Sequence, residues 1–367
     1  MGAMVHPDAD FIATFGSVGV DMSDVVVFVG FALCAGVILF AGRGLSRYGD
    51  RIAEVSGLGG AWVGLILMAA VTSLPELVAS VSSAAVVRSA DLAVGTVIGS
   101  CAFNLIVLAG LDAFVPAPRP LFNVASASHV LAAALGIILL VLVGIGLLDP
   151  SETELTPWLG VTSLLFIGVY LGSVRLLYLH VRHTGSDGSI QPTLDGEFPE
   201  GHDPALLNLP TRQVELRYTI YALVIVAAAV LLPPLAERIA VVTGLQESFV
   251  GTLLLAASTS LPEIAVSVAA VRMGAIDLAV GNMLGSNLFN IFILVVGDLA
   301  YTPGVLLRDA DNIHLVSVLS TIAMSAIVII GLTYTTRGKR FLLAWDAALI
   351  IAVYAANLML LLTLRVP

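Results

Sequence analysis

Apolar residues along this chain fall in long blocks rather than in alternation, and short polar links separate the blocks. A helix needs about 20 predominantly apolar residues to cross the hydrocarbon core of a bilayer. On that length the blocks predict ten spans, at approximately 24–43, 60–87, 90–114, 124–147, 157–178, 217–236, 247–271, 275–300, 313–333 and 341–364. The longest polar interval, His180 to Arg217, is rich in Gly, Pro, Asp and Glu and divides five spans from five. Its acids Asp187, Asp195, Glu197, Glu200 and Asp203 lack the ligand spacing of an EF-hand, so it reads as a solvated linker.

Two blocks carry the same polar interruption. Gly64-Leu-Ile-Leu-Met-Ala-Ala-Val-Thr-Ser-Leu-Pro-Glu76 is answered by Gly251-Thr-Leu-Leu-Leu-Ala-Ala-Ser-Thr-Ser-Leu-Pro-Glu263. Asp50-Arg-Ile-Ala53 answers Glu237-Arg-Ile-Ala240 at an offset of 187, and Asp91-Leu-Ala-Val-Gly95 answers Asp277-Leu-Ala-Val-Gly281 at 186. Gly99-Ser100 with Gly285-Ser286, Phe103-Asn104 with Phe289-Asn290, and Asp112 with Asp298 keep the second offset. Five spans per half is an odd number, so the second half must enter the membrane the other way round. The pattern predicts an all-α membrane protein of ten transmembrane helices, arranged as two inverted five-helix repeats with a site near the midplane between them. Residues 1–23 then form an extracellular N-terminal segment, 24–178 the first repeat, 179–216 a cytoplasmic linker and 217–367 the second repeat.

The interruptions carry the chemistry. On a helix, Thr72 and Glu76 stand four apart and Ser73 and Glu76 three apart, so their oxygens share a face. Pro75 has no N–H to donate and crowds the carbonyl of residue 71, so the helix should bend or open, freeing carbonyls around Ala69 to Val71. The second copy offers Ala256, Thr259, Ser260 and Glu263 in the same order. Ser100 and Ser286 add hydroxyls in the following spans, where Gly95, Gly99, Gly281 and Gly285 permit close helix approach. Asn104 and Asn290 lie one turn farther along, as amide ligands or as caps of an interrupted helix. Carboxylates, hydroxyls and carbonyls together suit a hard cation. A single Ser or Thr within a span ordinarily bonds back to its own helix. A buried Glu is a functional signal in itself, and duplication of the whole segment favours a site. Two neighbouring glutamates in hydrocarbon do not both stay ionised and empty. One divalent cation, several monovalent cations or protons relieve the repulsion, and a site that must be filled to cross enforces exchange rather than leak.

Composition confirms the class. Hydrophobic residues make up 58% of the 367, charged residues only 11%, and the mean hydropathy is +1.02; soluble domains carry about 25% charged residues. The net charge of −10 says little about partners, because many of the acids sit in short links or within spans. Cys34 and Cys101 both lie in apolar runs and offer neither a disulfide framework nor metal spacing. No Lys or Arg precedes the first apolar block, so Met1 to Ser23 does not resemble a cleaved signal peptide. Lys and Arg favour the cytoplasmic side. Of the 16, only Arg88, Arg238, Arg308 and Arg365 fall on one side, which places both termini outside and the long linker in the cytoplasm.

Several further polar residues need a reading. Asp91 and Asp277 stand beside Arg88 and Arg272 at short turns, where interfacial ion pairing or N-capping is expected. Asp112 and Asp298, near the ends of spans 3 and 8, suit interfacial solvation or an ion vestibule. His129 and His314 open spans 4 and 9 and take an interfacial role in preference to a proton relay. Asp346, after the basic turn Arg337-Gly-Lys-Arg340, is placed near the interface.

Thr72-Ser-Leu-Pro-Glu76 with Gly99-Ser-Cys-Ala-Phe-Asn104, and Thr259-Ser-Leu-Pro-Glu263 with Gly281-Asn-Met-Leu-Gly-Ser-Asn-Leu-Phe-Asn290, resemble the two alpha-repeats of the cation/Ca²⁺ exchanger superfamily. The sodium/calcium exchanger branch is nearest, and the resemblance covers roughly 50–118 and 237–304. It implies a diamond of ion sites between spans 2, 3, 7 and 8. Glu76 and Glu263 would hold Ca²⁺ or Na⁺ centrally. Thr72, Ser73, Ser100, Thr259, Ser260 and Ser286, with the carbonyls of Ala69 and Ala256, would complete flanking Na⁺ sites. Asn104 and Asn290 match the remaining ligand positions, and spans 1 and 6 would slide across the core to switch access. Val71 and Ser258 stand where the family motif usually has Gly, and Cys101 where the first repeat often has Asn. Asn290 stands where some members carry Asp, so the central charge rests on the two glutamates.

The expected function is antiport across the cell's inner membrane by alternating access, Na⁺ in against Ca²⁺ out. H⁺ or another monovalent ion is the alternative counter-ion, and another divalent cation the alternative substrate. Small cations and the lipid bilayer are the expected partners, with no cofactor, no nucleic acid and no obligate protein partner. An intramembrane enzyme using paired carboxylates is the rival from another class. Against it, the chain has no His-Glu-x-x-His, and its polar residues are duplicated where acid–base roles need asymmetry. A membrane scaffold or receptor would not require matched glutamates.

Overall fold

A chain surrounded by lipid satisfies its backbone groups only inside helices or closed barrels, and this one uses helices. The computed structural model describes residues 22–56, 62–148, 154–156, 159–184, 209–243, 257–334, 339 and 343–364. Ala256, most of the N-terminal segment and the middle of the linker lie outside the described residues. Helix α1 is Met22–Ser56, and the second block forms a pair, α2 (Val63–Thr72) and α3 (Leu74–Val87). There follow α4 (Ala90–Leu111), the short α5 (Leu121–Val124), α6 (His129–Leu148), α7 (Val161–Thr184) and α8 (Thr211–Thr243). The chain continues through α9 (Leu261–Arg272), α10 (Ile276–Ala300), the short α11 (Leu306–Asp309), α12 (His314–Thr333) and α13 (Trp345–Leu364). A small antiparallel pairing of Glu154–Thr156 with Leu159–Gly160 closes the link before α7.

The protein is an all-helical membrane protein. Among the described residues six helices are long and apolar enough to cross a bilayer, and the α2–α3 pair adds a seventh. Two ends differ from the sequence expectation for a physical reason. α1 runs 35 residues, about 50 Å at the helical rise, so it carries Arg43, Arg47 and Arg51 beyond its apolar block. α6 starts at His129 rather than near 124, because Leu121–Val124 is a separate turn whose first N–H is held by Asp112 Oδ1 at 2.7 Å.

Helices α4 and α10 lie at the centre. Val94, Val97, Ile98 and Leu105 on α4, and Val280, Met283 and Ile293 on α10, are wholly enclosed. Glycine allows the closest approaches: a Cβ at Gly285 would lie 2.1 Å from the Leu65 carbonyl oxygen, and one at Gly64 would lie 2.5 Å from that of Leu278. Outside this core α1 and α8 form their own pair. Tyr48 stacks on Tyr221 with ring centroids 5.7 Å apart, and Arg217 Nη1 donates to the Tyr48 hydroxyl at 2.9 Å. The outer faces of the pair expose Val26, Leu33, Phe40, Leu223 and Leu231, as expected where lipid rather than water is the solvent. The pair meets the core where Gly42 lies against Ala265, with Ser46 Oγ donating to the Val266 carbonyl at 2.6 Å.

Candidate ion site between the two broken helices

Each Thr-Ser-Leu-Pro-Glu segment breaks its helix in the same way. Ser73 has φ −87° and ψ 8°, and Ser260 has φ −87° and ψ 5°. Each serine ends one helical segment and starts the next with Leu-Pro in its first turn, where a missing N–H leaves nothing unsatisfied. The first break bends the span by 44°. Of the bend or opening expected at Pro75 the helix takes the bend, and the Ala69 carbonyl is not freed but still accepts from Ser73 N at 3.0 Å.

The breaks bring the two halves together. Thr72, Ser73, Glu76, Ser100, Asn104, Thr259, Ser260, Glu263, Ser286 and Asn290 are all fully buried, and Ala69 is nearly so. Ser260 Oγ donates to Glu76 Oε1 at 3.0 Å, and Ser73 Oγ donates to Glu263 Oε1 at 3.0 Å. Each glutamate is thus held by the serine of the other half, and Ser286 Oγ adds a longer contact of 3.4 Å to Glu263. Among the described residues the second oxygens of both glutamates have no hydrogen-bond partner, and neither do Ser100 Oγ, Asn104 Oδ1 or either polar atom of the Asn290 amide. An unmet buried polar group costs about 1–3 kcal/mol. Their concentration at one place marks where a cation would supply what the protein withholds. Asn104 and Asn290 lie inside α4 and α10 rather than at an end, so neither caps a broken helix.

Two polar residues at this place escaped the sequence reading. Asn282 Oδ1 lies 3.3 Å from Thr72 Oγ1, and Asn287 Oδ1 accepts from Asn104 Nδ2 at 3.1 Å. Both belong to the Gly281–Asn290 segment, and their matched positions in the first half hold Thr96 and Cys101. The mismatch in an otherwise duplicated segment was the available signal.

Other expectations need correction. Asp91 and Asp277 pair with histidines rather than with Arg88 and Arg272. His314 Nε2 lies 3.1 Å from Asp91 Oδ1, and His129 Nε2 lies 3.0 Å from Asp277 Oδ1. The same carboxylate oxygens accept from the backbone N–H of Asp311 and of Ser126, so each aspartate pins a loop of the other half. The cap of α4 is Ser89, which accepts from Leu92 N at 3.2 Å. Arg272 instead lies over the Phe114 ring at 5.2 Å. Asp112 and Asp298 are buried structural anchors rather than solvated groups. Asp298 accepts from Leu306 N at 2.8 Å and from Ser163 Oγ at 2.6 Å. Asp112 accepts from Leu121 N and Ala344 N, both at 2.7 Å, and lies 3.3 Å from the Lys339 ammonium. Asp346, in the first turn of α13, is likewise buried.

The sequence profile described as sodium/calcium exchanger protein matches residues 26–177 and 218–363. The inner membrane protein YrbG of Escherichia coli is 32% identical over 250 residues, spanning 66% of this chain and 70% of that protein. The sodium/calcium exchanger MaX1 of Methanosarcina acetivorans is 33% identical over 118 residues, 32% of each chain. A solved structure of the sodium-calcium exchanger NCX_Mj, soaked with Na⁺ and Sr²⁺, superposes with a TM-score of 0.68 at 20% identity, over 92% of this chain and 99% of that one. The fold is thus shared with that exchanger, and the profile spans both halves around the broken helices. The chain belongs to the sodium/calcium exchanger family of membrane cation antiporters, which are transporters and not enzymes.

Proposed function

We propose that this protein exchanges Na⁺ for Ca²⁺ by alternating access, with the two broken helices building the ion site. The observation that carries the reading is the crossed pair of glutamates. Glu76 and Glu263 are fully enclosed, each is held through one oxygen by the serine of the opposite half, and each keeps its other oxygen unpartnered among the described residues. Two carboxylates are neutralised by one Ca²⁺ or by two Na⁺, so the same charge serves either direction of exchange. Ser73, Ser260, Ser100 and Ser286, the hydroxyls of Thr72 and Thr259, the carbonyls of Ala69 and Ala256, and the amides of Asn104 and Asn290 furnish the neutral oxygens around them.

In this reading the chain has ten spans in two inverted repeats, 24–178 and 217–367, joined by a cytoplasmic linker at 179–216. Both termini lie outside the inner membrane. The matched bonds support the relation between the halves: Ser73–Glu263 with Ser260–Glu76, and His129–Asp277 with His314–Asp91. The pair α1–α8 moves across the core, working with no cofactor and no obligate partner.

The test is flux in liposomes containing the purified protein, with ⁴⁵Ca²⁺ uptake driven by an outward Na⁺ gradient and, separately, by a pH gradient. Uptake under the Na⁺ gradient is expected. Uptake under the pH gradient alone would assign H⁺ as counter-ion, and none under either would end the antiport reading. Glu76→Gln and Glu263→Gln should each lower the flux about a thousandfold, since a unit charge pair near 4 Å contributes about 4 kcal/mol in a protein interior of moderate dielectric. Full activity in both variants would place the site elsewhere.

A further inference from the structure

The two flanking positions are not chemically equal. Asn282 and Thr96 occupy matched places in α10 and α4. Thr96 Oγ1 donates to the Leu92 carbonyl of its own helix at 2.7 Å. Asn282 is fully buried and crosses to the other half, where its Oδ1 lies 3.3 Å from Thr72 Oγ1.

The repeat itself fixes which way the amide faces. Ser80 Oγ donates to the Ala93 carbonyl at 3.4 Å, and the matched Ser267 Oγ donates to the Ala279 carbonyl at 3.5 Å. With its hydroxyl aimed at that carbonyl, Ser267 presents a lone pair to the amide, and Asn282 Nδ2 donates to it at 3.0 Å. The amide nitrogen is therefore turned towards Ser267 and the amide oxygen towards Thr72.

Thr72 Oγ1 now faces three acceptors: the Met68 carbonyl at 3.1 Å, Asn282 Oδ1 at 3.3 Å and the Ala69 carbonyl at 3.4 Å. A hydroxyl has one proton, and the nearest acceptor, Met68, takes it. Two oxygen–oxygen contacts remain with no hydrogen between them. Edges of that length are those of an oxygen shell around a cation bound at roughly 2.4 Å. Every oxygen in the group is uncharged, which suits a monovalent ion and leaves the carboxylates to the divalent one.

We infer that Asn282 supplies its amide oxygen to the cation position beside Thr72 and Ala69, making that position the tighter of the two flanking sites for Na⁺. This rests on the antiport reading and assigns a selectivity determinant within it. The test uses the purified full chain in detergent and follows its unfolding temperature against NaCl, with choline chloride holding ionic strength, and separately against CaCl₂. Asn282→Thr copies the residue of the matched position, and Asn282→Ala removes the amide by another route. Both variants should raise the Na⁺ midpoint about tenfold, the loss of one contact to a charged group, while the Ca²⁺ midpoint moves less than about twofold. Unchanged Na⁺ midpoints in both variants would overturn the inference. An equal rise for both cations would also overturn it, by showing a merely structural role. Stabilisation of the wild-type protein by Ca²⁺ but not by Na⁺ would overturn it while leaving the glutamate site standing. Stabilisation by neither ion would remove the antiport reading as well.

Discussion

Gly285→Ala is a severe perturbation from a single methyl group. The added Cβ would lie 2.1 Å from the Leu65 oxygen, 2.6 Å from its Cα and 2.7 Å from its carbonyl carbon. All three are backbone atoms of α2, so no rotamer change relieves the contact. Ordinary separation requires α2 and α10 to part by roughly 1 Å. Ser286 is the next residue, and its 3.4 Å contact with Glu263 on α9 already sits at the limit of a hydrogen bond, so a shift of α10 away from α9 would break it. Overpacking a core costs about 1–3 kcal/mol where side chains yield, and a backbone clash belongs at or above the top of that range. Thermal unfolding of the purified protein should fall by several degrees and ⁴⁵Ca²⁺ flux should drop with it. Gly36→Ala is the control: Gly36 is exposed on α1 with no atom of the described residues within 4 Å of its would-be Cβ, and alanine there should be neutral or slightly stabilising. A Gly285→Ala protein that unfolds and transports like wild type would refute the close approach of α2 and α10.

Arg88 ends α3 with φ 58°, the left-handed conformation that Gly274 adopts with φ 82° at the matched turn of the second half. Arg88→Gly should therefore raise stability by about 1 kcal/mol, seen as a higher unfolding temperature, and a decrease would show that the arginine side chain compensates for its backbone. The His129–Asp277 and His314–Asp91 pairs should each show a coupling of about 0.5–3 kcal/mol in double-mutant cycles on unfolding. The second should be the weaker, because Asp91 is 54% exposed against 27% for Asp277. Zero coupling in the first pair would mean that the imidazole is merely adjacent.

How much of this was legible depends on whether the signal was local. The Thr-Ser-Leu-Pro-Glu breaks announce themselves because proline acts on its own helix, and both serines take nearly the same backbone angles. The glutamates followed, since an acid in an apolar run needs a reason. The histidine–aspartate pairs were hidden by distance: each partner lies about 150 to 220 residues from the other. Only their register betrayed them, for His129 and His314 keep the repeat spacing almost as well as Asp91 and Asp277 do. Lys339 misled for the opposite reason. It sits in the basic turn beside Arg337 and Arg340 and counts among the cytoplasmic charges, yet it is buried 3.3 Å from Asp112, which neighbouring residues in the sequence do not disclose.

The meeting of α1 with the core has a mechanical consequence. Ser46 can give its proton to Val266 across the interface at 2.6 Å or to Gly42 within its own helix at 3.0 Å. A helix that slides past its neighbour loses the first acceptor and turns to the second, so no donor is stranded in hydrocarbon on the way. Gly42 leaves the adjoining surface without a side chain to snag on Ala265. In the proposed movement of the α1–α8 pair the contact would serve as a detent rather than a lock, holding one position and yielding without a large desolvation penalty. Such a catch would sit where the part proposed to move touches the part proposed to stay still.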